Sequence, residues 1–126
     1  MLVNLVLVGV GGAMGSVARY LVGGWTNNLV GRADFPVGTM AVNVLGCLVI
    51  GFASGLAEHR QMLGPEVRAF LLIGVLGGFT TFSAFGYETF ALARGGQLLA
   101  TFSNILVTMA SGLAAVWLGY RIAQTL

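Results

Sequence analysis

Long uncharged apolar stretches alternate with short charged ones along the whole chain. Charged side chains are absent from residues 1–18, 37–57, 69–87 and 95–120. An α-helix needs about 20 apolar residues to cross a hydrocarbon core of about 30 Å. Four such crossings use most of the 126 residues and leave only short connections. The pattern predicts an all-α integral membrane protein, a single domain of four transmembrane helices over about residues 2–23, 37–57, 67–93 and 97–122.

The composition excludes several other classes of protein. Hydrophobic residues make up 57% of the chain and charged residues 8%, with a mean hydropathy of +0.92. Soluble domains carry about 25% charged residues, so this chain is expected to contact the lipid bilayer. Its six arginines are dispersed and form no basic patch, which argues against a nucleic-acid partner. The single Cys47 cannot form a disulfide within the chain.

The first apolar segment differs from a cleaved signal peptide. It begins without a basic residue, and its only charged side chain, Arg19, lies at the far end. A signal peptide has the opposite order, with its positive charges first. We therefore expect this segment to stay in the protein as the first helix. Arg19 is expected to anchor that helix or to bind a neighbouring one.

The arginines are shared equally between the two sides of the predicted bundle, so the usual excess of positive charge on one side is missing. One side holds Arg19, Arg32 and Arg94, and the other holds Arg60, Arg68 and Arg121. Chains without a bias can insert in both directions, and two such chains can pair antiparallel. Two pairs of glycines spaced four apart, Gly11 with Gly15 and Gly51 with Gly55, predict close helix packing and also suit self-association.

Polar residues recur on one face of the second and fourth predicted helices. Thr39 and Asn43 are four residues apart and share a face. The Asn43 amide either bonds a neighbouring helix or points as a donor into a pore. The fourth helix carries a polar stripe at spacings of 3, 4 and 3, formed by Thr101, Asn104, Thr108 and Ser111. Such a stripe faces protein or water, so interhelical hydrogen bonding and pore lining both remain open.

The third segment combines glycines, hydroxyls and phenylalanines over residues 74–85. Glycines and adjacent threonines weaken a helix, so we predict that the third helix is broken in mid-membrane. A break is tolerated there only where protein or a water-filled cavity satisfies the freed backbone, and freed carbonyls suit a cation. Phe82 and Phe85 share a face, beside a stripe of Thr81, Phe85 and Glu88. These residues predict that a small ion crosses here.

Motifs in all four helices resemble the fluoride channel family, also called the fluoride exporter or CrcB family. The matching segments span residues 12–15 with 19–20, 38–39 with 42–43 and 46, and 77–85 with Glu88. The resemblance implies an antiparallel, dual-topology homodimer with two pores that passively exports fluoride across the bacterial inner membrane. It also implies a structural sodium ion, held by the backbone carbonyls of Gly77 and Thr80.

The resemblance also assigns roles to single positions of this chain. Asn43 resembles the pore amide, and Phe82 and Phe85 resemble the phenylalanines that line the fluoride path. The matching polar pore-lining positions are Thr39, Ser83, Glu88, Asn104 and Thr108. Gly112 stands where some members have a pore serine, so this end of the polar track departs from the family pattern.

Two other functions fit parts of the pattern. A small proton-coupled multidrug-type transporter also has four helices, but it needs an embedded carboxylate, typically in the first helix, and residues 1–18 contain none. A structural membrane subunit leaves the polar stripe and the broken helix unexplained. No paired nucleophile and base and no cluster of metal-ligating side chains indicates an enzyme.

Overall fold

The computed structural model describes residues 1–31, 34–61 and 63–126, and within these ranges every regular element is a helix. Helix α1 spans Leu2–Val30 and α2 spans Val37–His59. Helix α3 covers residues 65–79 as three continuous parts: an α-helical start at Pro65–Arg68, a π-helical stretch at Ala69–Leu76 and an α-helical end at Gly77–Phe79. Helix α4 spans Phe82–Arg94, and α5 spans Leu98–Thr125.

Four helical segments of the described ranges are long and apolar enough to cross a membrane. They are Leu2–Val30, Val37–His59, Pro65–Arg94 and Leu98–Thr125, and the third of these contains α3 and α4. An all-helical protein with four candidate spans is therefore confirmed. Arg32, one of the six arginines used to compare the two sides, lies outside the described residues.

Helix α1 extends seven residues beyond the predicted end at Gly23. The side chain of Asn27 explains the extension, because its Oδ1 accepts a hydrogen bond of 2.9 Å from the amide of Gly38. This bond satisfies an otherwise unpaired amide in the first turn of α2. The last turns of α1 are thus tied to the start of α2, although they lie outside the purely apolar run.

Both predicted glycine pairs lie where two helices of the same chain touch. A methyl group at Gly11 or Gly15 would overlap the backbone of α3 at Phe70 or Val75. In the same way, Gly51 lies against the backbone of Val116 in α5. Because these glycines have no side chain, the helix axes approach closely, and α1 packs on α3 while α2 packs on α5.

Helices α4 and α5 are joined by a turn that accounts for their antiparallel arrangement. Gly96 has a φ of +76°, its amide donates to the carbonyl of Ala93, and the amide of Gln97 donates to that of Leu92. These two bonds form a Schellman motif, which uses a left-handed glycine to end a helix. The chain then reverses and α5 begins at Leu98.

Candidate ion pathway

Two consecutive residues between α3 and α4 have extended backbone. Thr80 has φ −84° and ψ 155°, and Thr81 has φ −149° and ψ 114°. The carbonyl of Leu76 accepts both the amide of Thr80, at 3.0 Å, and its hydroxyl, at 2.9 Å. Thr81 then caps α4, since its Oγ1 accepts a bond of 3.2 Å from the amide of Ala84. A threonine is a good residue for this N-cap position.

The side chain of Asn43, on α2, binds the extended segment formed by Thr80 and Thr81, here called the interruption. Its Oδ1 accepts the amide of Thr81 at 2.8 Å, and its Nδ2 donates to the carbonyl of Thr81 at 3.0 Å. One side-chain amide thereby replaces both bonds that a helix would supply to this residue. Gly46, one turn further along α2, gives room to the methyl group of Thr80. The interhelical bond considered for Asn43 is therefore present, and one Nδ2 proton is left for another acceptor.

The same contacts leave two backbone carbonyls without the hydrogen bonds that an α-helix would give them. In an unbroken helix the amide of Thr81 would donate to the carbonyl of Gly77, and the amide of Ala84 to that of Thr80. Asn43 Oδ1 and Thr81 Oγ1 take these two amides instead. Within the described residues, the carbonyls of Gly77 and Thr80 thus lose their helical partners. Gly77 is also exposed at the surface of the chain.

Phe82 and Phe85 are in contact but differ strongly in burial. Their ring centroids are 5.8 Å apart, and the two planes are tilted by 45°. Phe85 is 7% exposed, whereas Phe82 is 77% exposed. Both rings line a cavity of about 380 Å³, here called the phenylalanine cavity, together with Asn43, Thr81 and Thr108. No charged side chain is among its lining residues in the described part of the chain.

A second cavity, of about 830 Å³, adjoins the first at Thr81, which lines both. We call it the arginine cavity, because Arg19 lies on its wall with Thr39. A third cavity, of about 690 Å³, adjoins the second at Asn27 and Asn28 and is lined by Glu88. Neighbouring cavities share lining residues, Thr81 in one case and Asn27 with Asn28 in the other.

Glu88 and Thr39 form one pair. The hydroxyl of Thr39 donates to Glu88 Oε1 at 2.7 Å, while Oε2 is buried and has no partner among the described residues. This pair uses the only proton of the Thr39 hydroxyl. Ser83 lies outside the three cavities, and its Oγ shares a hydrogen bond of 3.3 Å with Thr81 Oγ1.

Thr101, Asn104 and Thr108 of the polar stripe in the fourth membrane segment are buried in protein, whereas Ser111 is half-buried and bonds only to carbonyls of its own helix. Asn104 is 1% exposed, and its Nδ2 donates to Thr89 Oγ1 on α4 at 2.9 Å. Thr108 donates to Asn104 Oδ1 at 3.3 Å, and Thr101 donates to the carbonyl of Gln97. Thr108 also reaches the phenylalanine cavity, but Asn104 lines none of the three cavities.

Thr89 is a residue that sequence reasoning missed. It follows Glu88 and belongs to none of the polar stripes, yet it joins α4 to α5. Its position four residues after Phe85 was the available signal, because a helical threonine often donates to the carbonyl four residues before it. That bond is present, at 2.6 Å.

Comparison with known proteins identifies relatives that match nearly the whole chain. Residues 6–120 match a family model described as "CrcB-like protein, Camphor Resistance (CrcB)". A protein of Solibacter usitatus named fluoride-specific ion channel FluC is 46% identical over 94% of this chain and 96% of its own length. Proteins of the same name from Rhizobium meliloti and Geotalea daltonii are 43% and 42% identical, over 98% and 96% of this chain and 98% and 97% of theirs.

These matches confirm the resemblance of the sequence motifs. They cover nearly the whole of each chain, so all four candidate spans are included. Together with those spans, they identify a multi-pass membrane protein. The chain belongs to the CrcB family.

Proposed function

We propose that this chain forms a fluoride-selective ion channel that passively exports cytoplasmic fluoride and so relieves its toxicity. The relatives at 42–46% identity are named as fluoride-specific ion channels, not as enzymes. One observation of the structure carries the proposal: the cavity that contains the two phenylalanine rings also has the Asn43 amide on its wall, and no charged side chain of the described residues lines it.

Fluoride is small, strongly hydrated and can only accept hydrogen bonds, so its path must replace water with donors. The free Nδ2 proton of Asn43 is one such donor, and the hydroxyl pair of Thr81 and Ser83 has another proton to offer. The rings of Phe82 and Phe85 add positive edges that attract an anion weakly. Weak attraction lets the ion leave again, as conduction requires.

The remaining polar residues differ in whether they have a proton free to donate to fluoride. The hydroxyl of Thr39 donates its proton to Glu88, and the hydroxyl of Thr108 donates its proton to Asn104. In this arrangement each of these two hydroxyls offers fluoride only lone pairs, which repel an anion. Asn43 is therefore the main donor of the path, Thr39 and Thr108 donate only after a change of partner, and Glu88 donates only when it is protonated. Arg19 gives the entrance of the arginine cavity a positive charge that attracts anions.

The working unit in this proposal is an antiparallel homodimer of dual topology, with two pores, in the bacterial inner membrane. One chain has little interior, and Phe82 is 77% exposed on its surface although it belongs to the proposed path. A second copy would enclose it. The equal division of the arginines between the two sides, which includes Arg32, supports insertion in both directions.

A structural sodium ion would fit the interruption, which we propose to lie in mid-membrane. Asn43 and Thr81 take the amides that would otherwise bind the carbonyls of Gly77 and Thr80. Unwound carbonyls are the ligands that sodium finds in broken membrane helices. The ion would supply a fixed positive charge that favours an anion nearby. If so, replacing sodium by N-methylglucamine lowers the melting temperature of the dimer; an unchanged melting temperature would argue against the ion.

The activity is tested by fluoride efflux from liposomes that contain purified protein. We expect fluoride to leave passively, while chloride stays inside. A proton-coupled multidrug-type transporter would instead move a cationic substrate against its gradient when a proton gradient is applied. Absence of fluoride efflux, or equal efflux of chloride, would overturn the proposal.

A further inference from the structure

A directed chain of hydrogen bonds connects α5 to the helix that carries the two phenylalanines. Thr108 donates to Asn104, Asn104 donates to Thr89, and Thr89 donates to the carbonyl of Phe85, over 3.3, 2.9 and 2.6 Å. Each hydroxyl has one proton, so the direction is fixed: Thr89 gives its proton to Phe85 and must accept from the Asn104 amide.

Asn104 is buried, and its side-chain amide makes its hydrogen bonds inside the protein. The residue is 1% exposed, and both ends of its side-chain amide are bonded to other side chains. It is also absent from the walls of all three cavities. In this arrangement an ion in the phenylalanine cavity would meet Thr108 and the rings, but not the Asn104 amide.

Side-chain bonds hold helix α4 at three places. At its start, Thr81 caps the helix and is itself held by Asn43 of α2. Further along, Thr39 of α2 binds Glu88, and Asn104 of α5 binds Thr89. The interruption at Thr80 and Thr81 removes the continuous backbone bonding that would otherwise set the rotation of α4 relative to α3. Asn43 and Thr39 both bind from α2, whereas Asn104 binds from α5, so the Asn104 bond fixes α4 to a second helix.

We propose that Asn104, acting through Thr89, is a positioning residue that sets the rotation of α4 and so places the rings of Phe85 and Phe82 along the ion path. Phe85 lies four residues, about one turn, before Thr89, and its carbonyl accepts the Thr89 proton. The ring of Phe85 in turn contacts that of Phe82. The inference rests on the proposed fluoride path and gives Asn104 a different role from pore lining.

Fluoride efflux from liposomes tests the coupling between the two residues. Thr89→Val and Asn104→Leu should each slow fluoride efflux about tenfold, as expected for loss of one buried interhelical bond. The double variant should be no slower than the slower single variant, because both changes break the same bond. Thr89→Ser keeps the hydroxyl and should restore the wild-type rate. Thr26→Val is the matched control, since Thr26 also donates to its own helix, at Val22, but receives no bond from another helix in the described residues.

A second readout does not depend on transport. 4-Fluorophenylalanine at position 85 should give a ¹⁹F resonance that moves or broadens in Thr89→Val and in Asn104→Leu, and that stays in place in Thr89→Ser and Thr26→Val. An unmoved resonance in the first two variants would overturn the inference, even if wild-type protein conducts no fluoride. Slow efflux in Asn104→Leu with normal efflux in Thr89→Val would also overturn it, because Asn104 would then act on the ion directly.

Discussion

Asn43 binds the backbone of Thr81 through both ends of its side-chain amide. Within the membrane such bonds replace those that an unbroken helix would make, because no water is available to satisfy the backbone. The same amide retains one proton that faces the phenylalanine cavity in our proposal. At the scale of the residue, then, our proposal gives Asn43 both a structural and a conducting role.

Asn43→Asp is expected to abolish fluoride efflux while the dimer persists. An aspartate still accepts from the amide of Thr81 but can no longer donate to its carbonyl, and its charge repels fluoride. A like charge about 4 Å away costs about 4 kcal/mol at an effective dielectric of 20, a slowing of about a thousandfold. Liposome efflux and size-exclusion chromatography measure the two properties. Asn4→Asp, on the exposed first turn of α1, is the control and should conduct normally.

Phe82→Ile is expected to remove fluoride efflux without dissociating the dimer. Isoleucine keeps an apolar surface of similar size but lacks the positive ring edge. Phe102→Ile makes the same change at an exposed ring of α5, 61% exposed against 77% for Phe82, and should leave efflux unchanged. Near-normal efflux in both Phe82→Ile and Asn43→Asp would mean that the path runs elsewhere.

At the scale of helices, α2 closely approaches the interruption at Gly46. Gly46→Ala would place a methyl group on the side chain of Thr80, whereas Gly9→Ala meets nothing within 4 Å. We expect Gly46→Ala to cost about 1–3 kcal/mol of stability, as overpacking usually does, and Gly9→Ala to cost none. Thermal unfolding in detergent measures both. Equal melting temperatures would show that Thr80 does not pack against Gly46.

The helices were predictable to the extent that they depend on hydrophobicity. Charge-free stretches gave four spans because lipid excludes charged side chains over a fixed length. The end of α1 was not predictable in this way, because the bond from Gly38 to Asn27 joins residues 11 apart in the sequence. The role of Thr89 was missed for the same reason, since its partner Asn104 lies on another helix. Spacing along one helix shows which residues share a face, but not what that face meets.

At the scale of the whole molecule, one chain leaves much of its apolar surface uncovered. Large exposed side chains occur on every candidate span, including Leu21, Leu45, Phe82 and Leu113. Lipid covers part of this surface, and in our proposal a second, antiparallel copy covers the rest. The interrupted segment would then lie between two chains, with Phe82 enclosed.

A tag on the C-terminus distinguishes dual from single topology. If chains insert in both directions, a membrane-impermeant reagent should label about half of the tags in intact spheroplasts, because the arginine count favours neither side. Permeabilised cells, in which all tags react, provide the control. Labelling of either all tags or none in intact spheroplasts would contradict the antiparallel dimer.

The central claim is that fluoride crosses the membrane through this protein. The most direct measurement is passive efflux from liposomes loaded with equal fluoride and chloride, followed with one ion-selective electrode for each anion. We expect rapid loss of fluoride and retention of chloride in liposomes with wild-type protein, and retention of both anions with Asn43→Asp. Retention of fluoride in liposomes with wild-type protein, or loss of chloride at the same rate, would contradict the proposed function.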